Sequence, residues 1–442
     1  MKRIAVIGGG PGGMAAAVAA KACGVPEVVL FERQPYLGGV LPQCIHTGFG
    51  IELYEKDFTG GEYAHFWSEK TWESGVSIRK ETAVLGLFPG KKWTLDVMDK
   101  RRGREKISAD GVIVATGCRE RTLPQMLIPG SRPAGVFTAG TAQYMMNIKN
   151  MLPGRSAVIF GSGDIGLIMA RRMHLEGMKV PMVLGMKGTG LTRNVTQCVR
   201  DFGIPLRYGW TLTSTHGYSR LKGVTVAPFK EDGSKDIDIS RKEYIPCDTL
   251  LVATGLIPEL EVCKEHLGKP GLYLCGNASR VHDLVDHVTA EGVDVGVGAA
   301  EYVLGPLASP EELKEIRGFR GFDRKEDTWG NMVCTVCPKG CVLQVGENPF
   351  SVGGNQCERG IAFARQELLE PKRMVTSVVA IRQSQRLMSV KTDKQIPKED
   401  IPKVMAAIKR SVAPASARHG DVIVQKIGGT DADIVATGEG IE

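Results

Sequence analysis

The sequence predicts an α/β fold in which one dinucleotide-binding domain is inserted in another and a small domain follows. Three observations carry this prediction. A glycine loop with the spacing Gly-x-Gly-x-x-Gly follows the first apolar strand, a second loop of the same spacing begins at Gly161, and four cysteines lie beyond residue 333. A strand, such a loop and a helix together form the phosphate-binding part of a Rossmann-like domain. The length of 442 residues agrees with two or three domains.

The composition is that of an ordinary globular protein, with 43% hydrophobic and 24% charged residues. The net charge of +7 is not gathered into runs or interleaved with aromatic residues, so no nucleic-acid partner is expected. No run of 18 apolar residues occurs, so no transmembrane segment is expected. We interpret the N-terminal segment as a buried strand rather than a signal peptide. Eleven cysteines without a secretory signal then predict a reducing compartment, the cytoplasm.

The first glycine loop is the strongest signal in the chain. An apolar strand, Ile4–Ile7, leads into Gly8, Gly10 and Gly13, and a helix of small residues follows. These glycines permit the tight turn, the approach of a pyrophosphate to the backbone, and close packing of helix against strand. A second apolar strand ends at Glu32, where a carboxylate can accept hydrogen bonds from a ribose. The loop therefore predicts a dinucleotide whose phosphates lie at the helix N-terminus.

Further stretches place this loop in a known pattern. ERQPYLGGV after the second strand, the ATG stretches at 112–117 and 250–255, and GLYLCGNA at 271–278 resemble the two-dinucleotide-domain flavoproteins. The resemblance implies FAD in the first domain and a helix from about 287 to 304 whose N-terminus points at the flavin. The further FAD-binding residues that it implies are Arg33, Gly38, Gly39, Val84, Thr116, Gly117, Gly276 and Asn277. Asn277 stands where the family carries Asp, and an amide can still form hydrogen bonds.

The second glycine loop repeats the order of strand, loop, helix and strand. Its glycines are Gly161, Gly163 and Gly166, and Asp164 and Ile165 lie between the last two. Two such units in one chain, the second between the ATG stretches, predict NAD(P) as a second nucleotide beside FAD.

The end of the strand after this second loop departs from the first. We place the position that corresponds to Glu32 at about Leu184, so the acid that would bind the 2′-hydroxyl of NAD is absent. Three interpretations stay open. NAD binds with little selectivity, Lys187 meets the 2′-phosphate of NADP, or the site is degenerate.

The segment 119–143 resembles the flavin subunits of multi-subunit dehydrogenases such as the hydrogen cyanide synthase and opine oxidase groups. In such complexes a partner of the glycerol-3-phosphate-dehydrogenase-like type carries the organic substrate. Disulfide reductases of this fold carry a pair of nearby cysteines at the flavin, whereas this chain has only Cys44 and Cys118 there. Cys44 and His46 are candidates for nucleophilic or proton-transfer roles, and the alternative is that they only line the pocket.

Four cysteines near the C-terminus have the spacing Cys334-x2-Cys337-x3-Cys341-x15-Cys357. Three close thiolates and a distant fourth suit a [4Fe–4S] cluster, since tetrahedral zinc sites usually take cysteines as two separated pairs. Zinc and unligated thiols remain the alternatives. The motif CTVCPKGC resembles the N-terminal cluster motif of molybdopterin oxidoreductases, and 328–438 resembles a small uncharacterised family that usually forms a separate subunit.

The predicted organisation has an FAD domain of residues 1–118 and 250–305, an NAD(P) domain of 119–249, a linker of 306–327, and an iron–sulfur domain of 328–442. A short helix beginning near Ser309 is expected in the linker. The predicted function is electron transfer within a soluble, hetero-oligomeric dehydrogenase complex. The partner would act on a small hydroxy acid, polyol phosphate or amine. The alternatives are a self-contained NAD(P)H-dependent oxidase or reductase, and a non-catalytic assembly protein with structural FAD.

Overall fold

The computed structural model describes residues 1–232, 234, 236–307, 310–314, 316, 332–347 and 350–438. The chain forms two compact units. The first comprises Met1–Arg119 with Leu256–Gly321, and the second comprises Glu120–Gly255 with Phe322–Glu442. The two glycine loops therefore lie in different units, and the four C-terminal cysteines share a unit with the second loop.

The N-terminal segment of the first unit alternates strands and helices. Its elements are β1 (Arg3–Ile7), α1 (Pro11–Ala22), β2 (Glu27–Phe31), β3 (Thr47–Phe49), α2 (Ile51–Tyr54), β4 (Phe58–Thr59), α3 (Gly60–Glu73), β5 (Ser77–Arg79), β6 (Thr82–Phe88), β7 (Trp93–Asp99), β8 (Gly103–Ala109), β9 (Gly111–Val114) and β10 (Cys118–Glu120). The strands β9, β1, β2 and β5 lie side by side in a parallel sheet, and β6, β7 and β8 form an antiparallel one. The carboxyl ends of the parallel strands share one edge, which is where α/β sheets bind nucleotides.

The second unit begins with another sheet of the same kind. Its elements are β11 (Val136–Thr138), α4 (Ala139–Asn147), β12 (Ser156–Phe160), α5 (Asp164–Leu175), β13 (Lys179–Gly185), α6 (Thr192–Asn194), β14 (Leu206–Tyr208), β15 (Trp210–Gly217), β16 (Leu221–Pro228), β17 (Glu243–Pro246) and β18 (Thr249–Val252). The parallel order is β11-β18-β12-β13-β14, and β15, β16 and β17 form an antiparallel sheet.

The domain boundary predicted at 249/250 needs a correction. That boundary places the strand β18 in the FAD domain with 250–305, but β18 pairs with β12 and β11 in the second sheet. Residues up to Gly255 accordingly belong to the second unit. The two ATG stretches thus end strands of different sheets, β9 in the first and β18 in the second. An apolar run does not disclose which sheet it joins, because pairing is decided by distant partners.

The remaining elements of the first unit complete its sheet and cover it. They are β19 (Leu256–Pro258), β20 (Leu272–Leu274), α7 (Val285–Leu304) and α8 (Glu311–Lys314). The helix expected over 287–304 is present and begins two residues earlier. It packs so closely on α1 that a Cβ on Gly292 would lie 2.5 Å from the carbonyl oxygen of Gly12. The expected short helix is α8, and Ser309 lies outside the described residues.

The C-terminal part of the second unit has its own core. Its elements are β21 (Met332–Val333), β22 (Val342–Glu347), β23 (Phe350–Gly353), α9 (Glu358–Leu369), β24 (Lys372–Arg373), β25 (Thr376–Ile381), β26 (Leu387–Thr392), β27 (Ile396–Pro397), α10 (Ile401–Ile408), β28 (Val412–Ala413), β29 (Val422–Val424) and β30 (Ile434–Ala436). The sheet β28-β25-β26-β30-β29 packs against α10, and Leu175 and Phe202 of the nucleotide domain join this core.

Buried ion pairs fasten this C-terminal part to the nucleotide domain. Asp201 accepts hydrogen bonds from Arg373 Nε at 2.6 Å and Lys398 Nζ at 2.9 Å, and Arg373 also donates to Glu367 at 2.7 Å. The Asp201 and Arg373 side chains are 6% and 4% exposed. Burial raises the pKa of Asp201, but the hydrogen bonds and charges of Arg373 and Lys398 together outweigh it and lower that pKa overall. Breaking such a buried pair costs about 3–5 kcal/mol, so the two parts are held in one fixed arrangement.

Candidate functional site

The first glycine loop has the form that a bound pyrophosphate requires. Gly8 has a φ of +108°, and a Cβ on it would lie 2.4 Å from the carbonyl oxygen of Ala115. A Cβ on Gly13 would lie 1.9 Å from the carbonyl oxygen of Gly8. At Gly10, by contrast, a Cβ would meet only the Cα of Gly39, at 4.0 Å. Gly8 and Gly13 are thus required by the protein itself, whereas Gly10 leaves open space at the start of α1, where a phosphate fits.

Glu32 follows β2 and is buried, with 6% exposure. Its carboxylate accepts hydrogen bonds from the backbone N–H of Gly9 at 2.8 Å and of Gln34 at 2.7 Å. A carboxylate has further lone pairs, so it can also accept a ribose hydroxyl. Glu32 therefore fits the ribose role predicted for it, although the structure also gives it a second task in holding the loop.

The turn at Gly38 and Gly39 lies directly on this loop. The backbone N–H of Gly38 donates to the carbonyl oxygen of Gly9 at 2.8 Å, and a Cβ on Gly39 would lie 3.2 Å from the Cα of Gly10. The two glycines have φ values of +109° and +59°, which few other residues adopt. Arg33 is exposed beside Glu32, so its predicted role stays a prediction.

The other FAD-binding residues predicted for the first unit lie on different connections. Thr116 Oγ1 donates to the carbonyl oxygen of Glu259 at 2.5 Å, and the N–H of Glu259 donates to the carbonyl oxygen of Gly117 at 3.0 Å. Gly276 has a φ of +59° and opens a short 3₁₀ turn that includes Asn277. The remaining residue, Val84, is half-buried in β6.

Asn277 belongs to a polar group that sequence reasoning did not find. Its Nδ2 donates to Cys118 Sγ at 3.5 Å, and its Oδ1 accepts from the backbone N–H of His282 at 2.9 Å. His282, whose side chain is 4% exposed, is hydrogen-bonded through Nε2 to the carboxylate of Glu291 on α7. Burial raises the pKa of Glu291, but hydrogen bonds with His282 and Ser279 and the nearby charges together outweigh it and lower that pKa overall. Spacing of 5 and 9 residues matches no simple motif, so only the fold reveals the group.

Asp286, in the first turn of α7, fastens the loop that carries the short helix α2 to α7. It is 1% exposed and accepts hydrogen bonds from the backbone N–H groups of Gly50 at 3.2 Å and Leu53 at 2.9 Å. Burial raises the pKa of its carboxyl group. Oε2 of Glu52, in the same loop, lies 3.3 Å from Nε2 of His287. The loop is therefore held at the N-terminal end of the helix.

Cys44 and His46 lie just before this loop, between a 3₁₀ turn and β3. Cys44 Sγ donates to the carbonyl oxygen of Val40 at 3.5 Å, and His46 Nδ1 lies 3.0 Å from the carbonyl oxygen of Thr47. Both side chains are partly exposed. These contacts decide neither for nor against a chemical role, which stays a prediction for both residues.

The second glycine loop repeats the first in detail. A Cβ on Gly161 would lie 2.1 Å from the carbonyl oxygen of Ala253, and one on Gly166 would lie 2.2 Å from that of Gly161. A Cβ on Gly163 would meet only Thr189 Oγ1, at 3.5 Å. This is the same division into two constrained glycines and one open glycine, and it fits a second nucleotide. Ile165, which the sequence also predicts here, is 41% exposed.

The structure corrects the predicted match between Leu184 and Glu32. Gly8 N–H donates to the carbonyl oxygen of Phe31, and Gly161 N–H donates to that of Leu184. Leu184 is thus the counterpart of Phe31 and is fully buried, so Gly185 is the counterpart of Glu32. A sequence locates the end of a strand only to within a few residues, whereas hydrogen bonds in the structure fix which residues correspond.

An acid could not simply be placed at Gly185. A Cβ there would lie 2.2 Å from Ser162 Oγ, and Ser162 donates to the carbonyl oxygen of Lys187 at 2.6 Å. In the first loop the counterpart of Ser162 is Gly9, so the pair Gly9–Glu32 is replaced by Ser162–Gly185. The second site therefore has a hydroxyl where the first has a carboxylate.

This exchange predicts weak discrimination between NADH and NADPH. For flavin reduction we expect the kcat/KM values of NADH and NADPH to lie within about tenfold of each other. A factor of about ten corresponds to the free energy of roughly one hydrogen bond. The double variant Ser162→Gly/Gly185→Glu rebuilds the pair of the first loop and should raise the preference for NADH by about tenfold or more. Gly185→Glu alone should weaken both nucleotides because the new side chain meets Ser162. A strong preference of the wild type for NADH would show that another residue supplies the acid.

The four C-terminal cysteines lie in the C-terminal part of the second unit. Cys334 and Cys341 are buried, Cys337 is partly exposed and Cys357 is exposed at the N-terminus of α9. The N–H of Cys334 donates to the carbonyl oxygen of Cys341 at 2.9 Å. Burial raises the pKa of Cys334 to about 11, and the charges of the other three thiols raise it further. All eleven cysteines of the chain are described, and none forms a disulfide.

These thiols fit an iron–sulfur cluster or zinc in chemical type. Within the described ranges, however, no three His, Cys, Asp or Glu side chains converge closely enough to hold a metal ion. The donor set is therefore present, and an iron–sulfur site remains a proposal. Nor, in the part of the chain that the structure describes, is any helix both long and apolar enough to cross a membrane.

Two α/β sheets, each with an intact glycine loop at the carboxyl ends of its strands, define a flavin-dependent oxidoreductase that uses FAD and NAD(P). A family model described as "Pyridine nucleotide-disulphide oxidoreductase" matches residues 2–271, and the chain belongs to this family. A second model, described as a protein of unknown function (DUF1667), matches residues 358–438, within the predicted small domain.

Curated relatives include several subunits of larger enzymes. Hydrogen cyanide synthase subunit HcnB of Pseudomonas protegens is 28% identical over 282 residues, 59% of this chain and 58% of the relative. An opine oxidase subunit of Agrobacterium tumefaciens is 28% identical over 39% of this chain and 34% of the relative. The alpha subunit of sarcosine oxidase from Rhizobium meliloti is 25% identical over 60% of this chain and 25% of the relative. The chain thus matches little more than half the length of the first of these.

Solved structures confirm the predicted pair of dinucleotide-binding domains. Thioredoxin reductase of Lactococcus lactis matches 69% of this chain and 99% of its own with a TM-score of 0.54 and 16% identity. Thioredoxin reductase of T. acidophilum matches 69% of this chain and 98% of its own with a TM-score of 0.52 and 20% identity. At such identities the likeness concerns the fold alone.

Proposed function

We propose that this chain is the electron-transfer subunit of a dehydrogenase complex. It would pass electrons between NAD(P)(H), FAD and a [4Fe–4S] cluster held by Cys334, Cys337, Cys341 and Cys357. The other end of the path would be a partner flavoprotein dehydrogenase of the glycerol-3-phosphate-dehydrogenase-like type. That partner would act on a small hydroxy acid, polyol phosphate or amine. Eleven cysteines without a disulfide support the cytoplasm as its compartment.

The observation that carries the proposal is the combination of two nucleotide loops with a four-thiol group in one chain. When bound, nicotinamide exchanges hydride, an iron–sulfur cluster exchanges single electrons, and a flavin does both. A chain that only exchanged hydrides would not need the thiol group. The thiols share a compact unit with the second glycine loop, which supports a working relation between them rather than a chance fusion.

The protein's own contribution is to bind and orient these groups. The open space at Gly10 and at Gly163 would admit two pyrophosphates at the N-termini of α1 and α5. Glu32 and the Asn277 group would hold the FAD, and the N-terminus of α7 would favour a negative charge near it. Buried thiols such as Cys334 and Cys341 are a soft donor set that holds iron or zinc in preference to harder ions.

The printed names of the relatives support a role within a complex. HcnB, the opine oxidase protein and the sarcosine oxidase alpha chain are each named as one part of a larger enzyme. We infer that this chain likewise works in a hetero-oligomer, with the organic substrate bound elsewhere.

The test is anaerobic reduction of the purified protein. NADH or NADPH should bleach the bound flavin, and the reduced protein should then reduce both a two-electron quinone dye and a one-electron acceptor such as ferricenium. FAD that neither nucleotide reduces would contradict the proposal and indicate an assembly protein. Rapid reduction of the dye without any reduction of the one-electron acceptor would indicate a self-contained reductase.

A further inference from the structure

One segment of the second unit, residues 187–197, contacts both the second glycine loop and the four-cysteine loop. We name it the clamp segment. On the side of the glycine loop, Ser162 Oγ donates to the carbonyl oxygen of Lys187 at 2.6 Å. Asp164, the first residue of α5, accepts from the backbone N–H of Leu191 at 2.6 Å and from Asn194 Nδ2 at 2.8 Å. The clamp segment is therefore bonded to the residues that flank Gly163.

On its other side the clamp segment contacts the loop that carries three of the cysteines. Gln197 Nε2 donates to Thr335 Oγ1 at 2.9 Å. Gly340 has a φ of +59° and lies so close to Thr192 that a Cβ on it would be 3.0 Å from Thr192 Oγ1. Thr335 and Thr192 are 4% and 6% exposed. Thr335 directly follows Cys334 and Gly340 directly precedes Cys341, so the contacts are made by neighbours of the thiols.

The end of the clamp segment is also connected to the C-terminal part of the unit through two turns and an ion pair. A π-helical turn, Val195–Val199, runs into a 3₁₀ turn, Arg200–Phe202. Asp201 of that second turn carries the buried ion pair with Arg373 described above. A shift of the clamp segment toward or away from the glycine loop would therefore change its contacts with Thr335 and Gly340, since packed interiors transmit small displacements.

We propose that the second nucleotide site and the four-cysteine loop are coupled through the clamp segment. A nucleotide whose phosphates lie at the start of α5 lies beside Asp164, and its charge alters the bonds that Asp164 makes to Leu191 and Asn194. A metal group at the cysteines fixes the loop that holds Thr335 and Gly340 against the same segment. Each site then changes the affinity of the other by the same factor, as linkage requires. The inference rests on the proposed function, because it assigns a nucleotide and a metal group to these two places.

The experiment measures the Kd of ADP-ribose, a probe that cannot reduce the flavin, by calorimetry on the full chain. Protein prepared without oxygen with its metal group, iron or zinc, is compared with the same protein stripped by a chelator and kept reduced. We expect the two Kd values to differ by about fivefold or more, the usual lower range of coupling between sites. In the reciprocal measurement, ADP-ribose should change the affinity of the stripped protein for Zn²⁺ by the same factor.

Two variants locate the coupling. Thr335→Val keeps the size of the side chain and Gln197→Leu removes the amide, so each loses the bond between clamp segment and cysteine loop without touching a thiol or the glycine loop. Both should reduce the difference in Kd to within about twofold, and Thr335→Ser should restore it. Thr213→Val is the matched control, because Thr213 Oγ1 donates to the carbonyl oxygen of Thr225 in another sheet, and it should leave the coupling unchanged.

The outcomes separate this inference from the proposed function. If both metal and ADP-ribose bind but the Kd values agree within error, the coupling is wrong and the electron-transfer proposal is untouched. If the chain binds neither iron nor zinc, or no ADP-ribose, both are wrong. A difference in Kd that persists in Thr335→Val and Gln197→Leu would show that the coupling does not pass through the clamp segment. A cooperative thermal unfolding transition, measured in every variant, shows that each has folded.

Discussion

Replacing Gly10 by valine is expected to abolish FAD binding while leaving the protein folded. Gly10 has φ −75° and ψ 178°, an extended conformation that valine adopts readily. Its Cβ would meet no protein atom nearer than 4.0 Å, so the fold has no reason to reject the side chain. The same space is where the pyrophosphate of FAD must approach the backbone, and a branched side chain fills it. Bound FAD should fall from about one per chain to below about a tenth of that.

Two matched glycine variants make this result specific. Gly163, with φ −77° and ψ 171°, is the counterpart of Gly10 in the second loop, so Gly163→Val should keep FAD and lose its reduction by NAD(P)H. Gly13→Val should instead unfold the first unit, because a Cβ there lies 1.9 Å from the carbonyl oxygen of Gly8. Full FAD occupancy in Gly10→Val would show that the pyrophosphate does not lie at this loop.

Local patterns explain why the two nucleotide domains could be predicted from the sequence. Each glycine loop lies between an apolar strand and a helix of small or apolar residues, and these features act within about 30 residues of one another. The helix α7 could be predicted for the same reason, since its apolar spacing is regular over 20 residues. Family resemblance identified the first nucleotide as FAD, the second glycine loop predicted NAD(P), and the family match supports both.

Long-range pairing explains what the sequence did not reveal. Gly185 rather than Leu184 is the counterpart of Glu32. The hydrogen bond from the N–H of Gly161 to the carbonyl oxygen of Leu184 fixes the alignment of the two loops, which spacing along the chain does not. The strand β18 joins the second sheet through partners about 90 and 110 residues away. The bond of Asp201 to Arg373 joins residues 172 apart in the chain, with no local signal at either end. The group of Asn277, His282 and Glu291 escaped notice likewise.

Replacing Cys337 by serine is expected to separate the two parts of the electron path. Cys337 lies in the middle of the three-cysteine group, and a hydroxyl binds iron far more weakly than a soft thiolate. Iron should be lost or become labile to oxygen. The first unit carries the FAD loop and contains none of these cysteines, so NAD(P)H-dependent reduction of a two-electron dye should remain within a few-fold. Reduction of the partner, or of a one-electron acceptor that takes its electrons from the cluster, should fall by about tenfold or more.

The matched control replaces a thiol outside the group. Cys23 directly follows α1 and is partly exposed. Its replacement by serine should leave both rates and the iron content unchanged. Both rates are measured on the same preparations of Cys337→Ser, together with its FAD content. An equal loss of the two rates in Cys337→Ser would mean that the C-terminal part only supports the fold of the nucleotide domain. The ion pair of Asp201 with Arg373 joins these two parts.

The metal content of the wild-type protein tests the electron-transfer role most directly. Protein purified without oxygen should contain about four iron and four sulfide per chain, and reduction should produce the paramagnetic resonance spectrum of a [4Fe–4S]⁺ cluster. The spectrum should vanish in Cys337→Ser and persist in Cys23→Ser. Wild-type protein that contains zinc and no iron would contradict the proposed role, because zinc holds a fold together but carries no electrons.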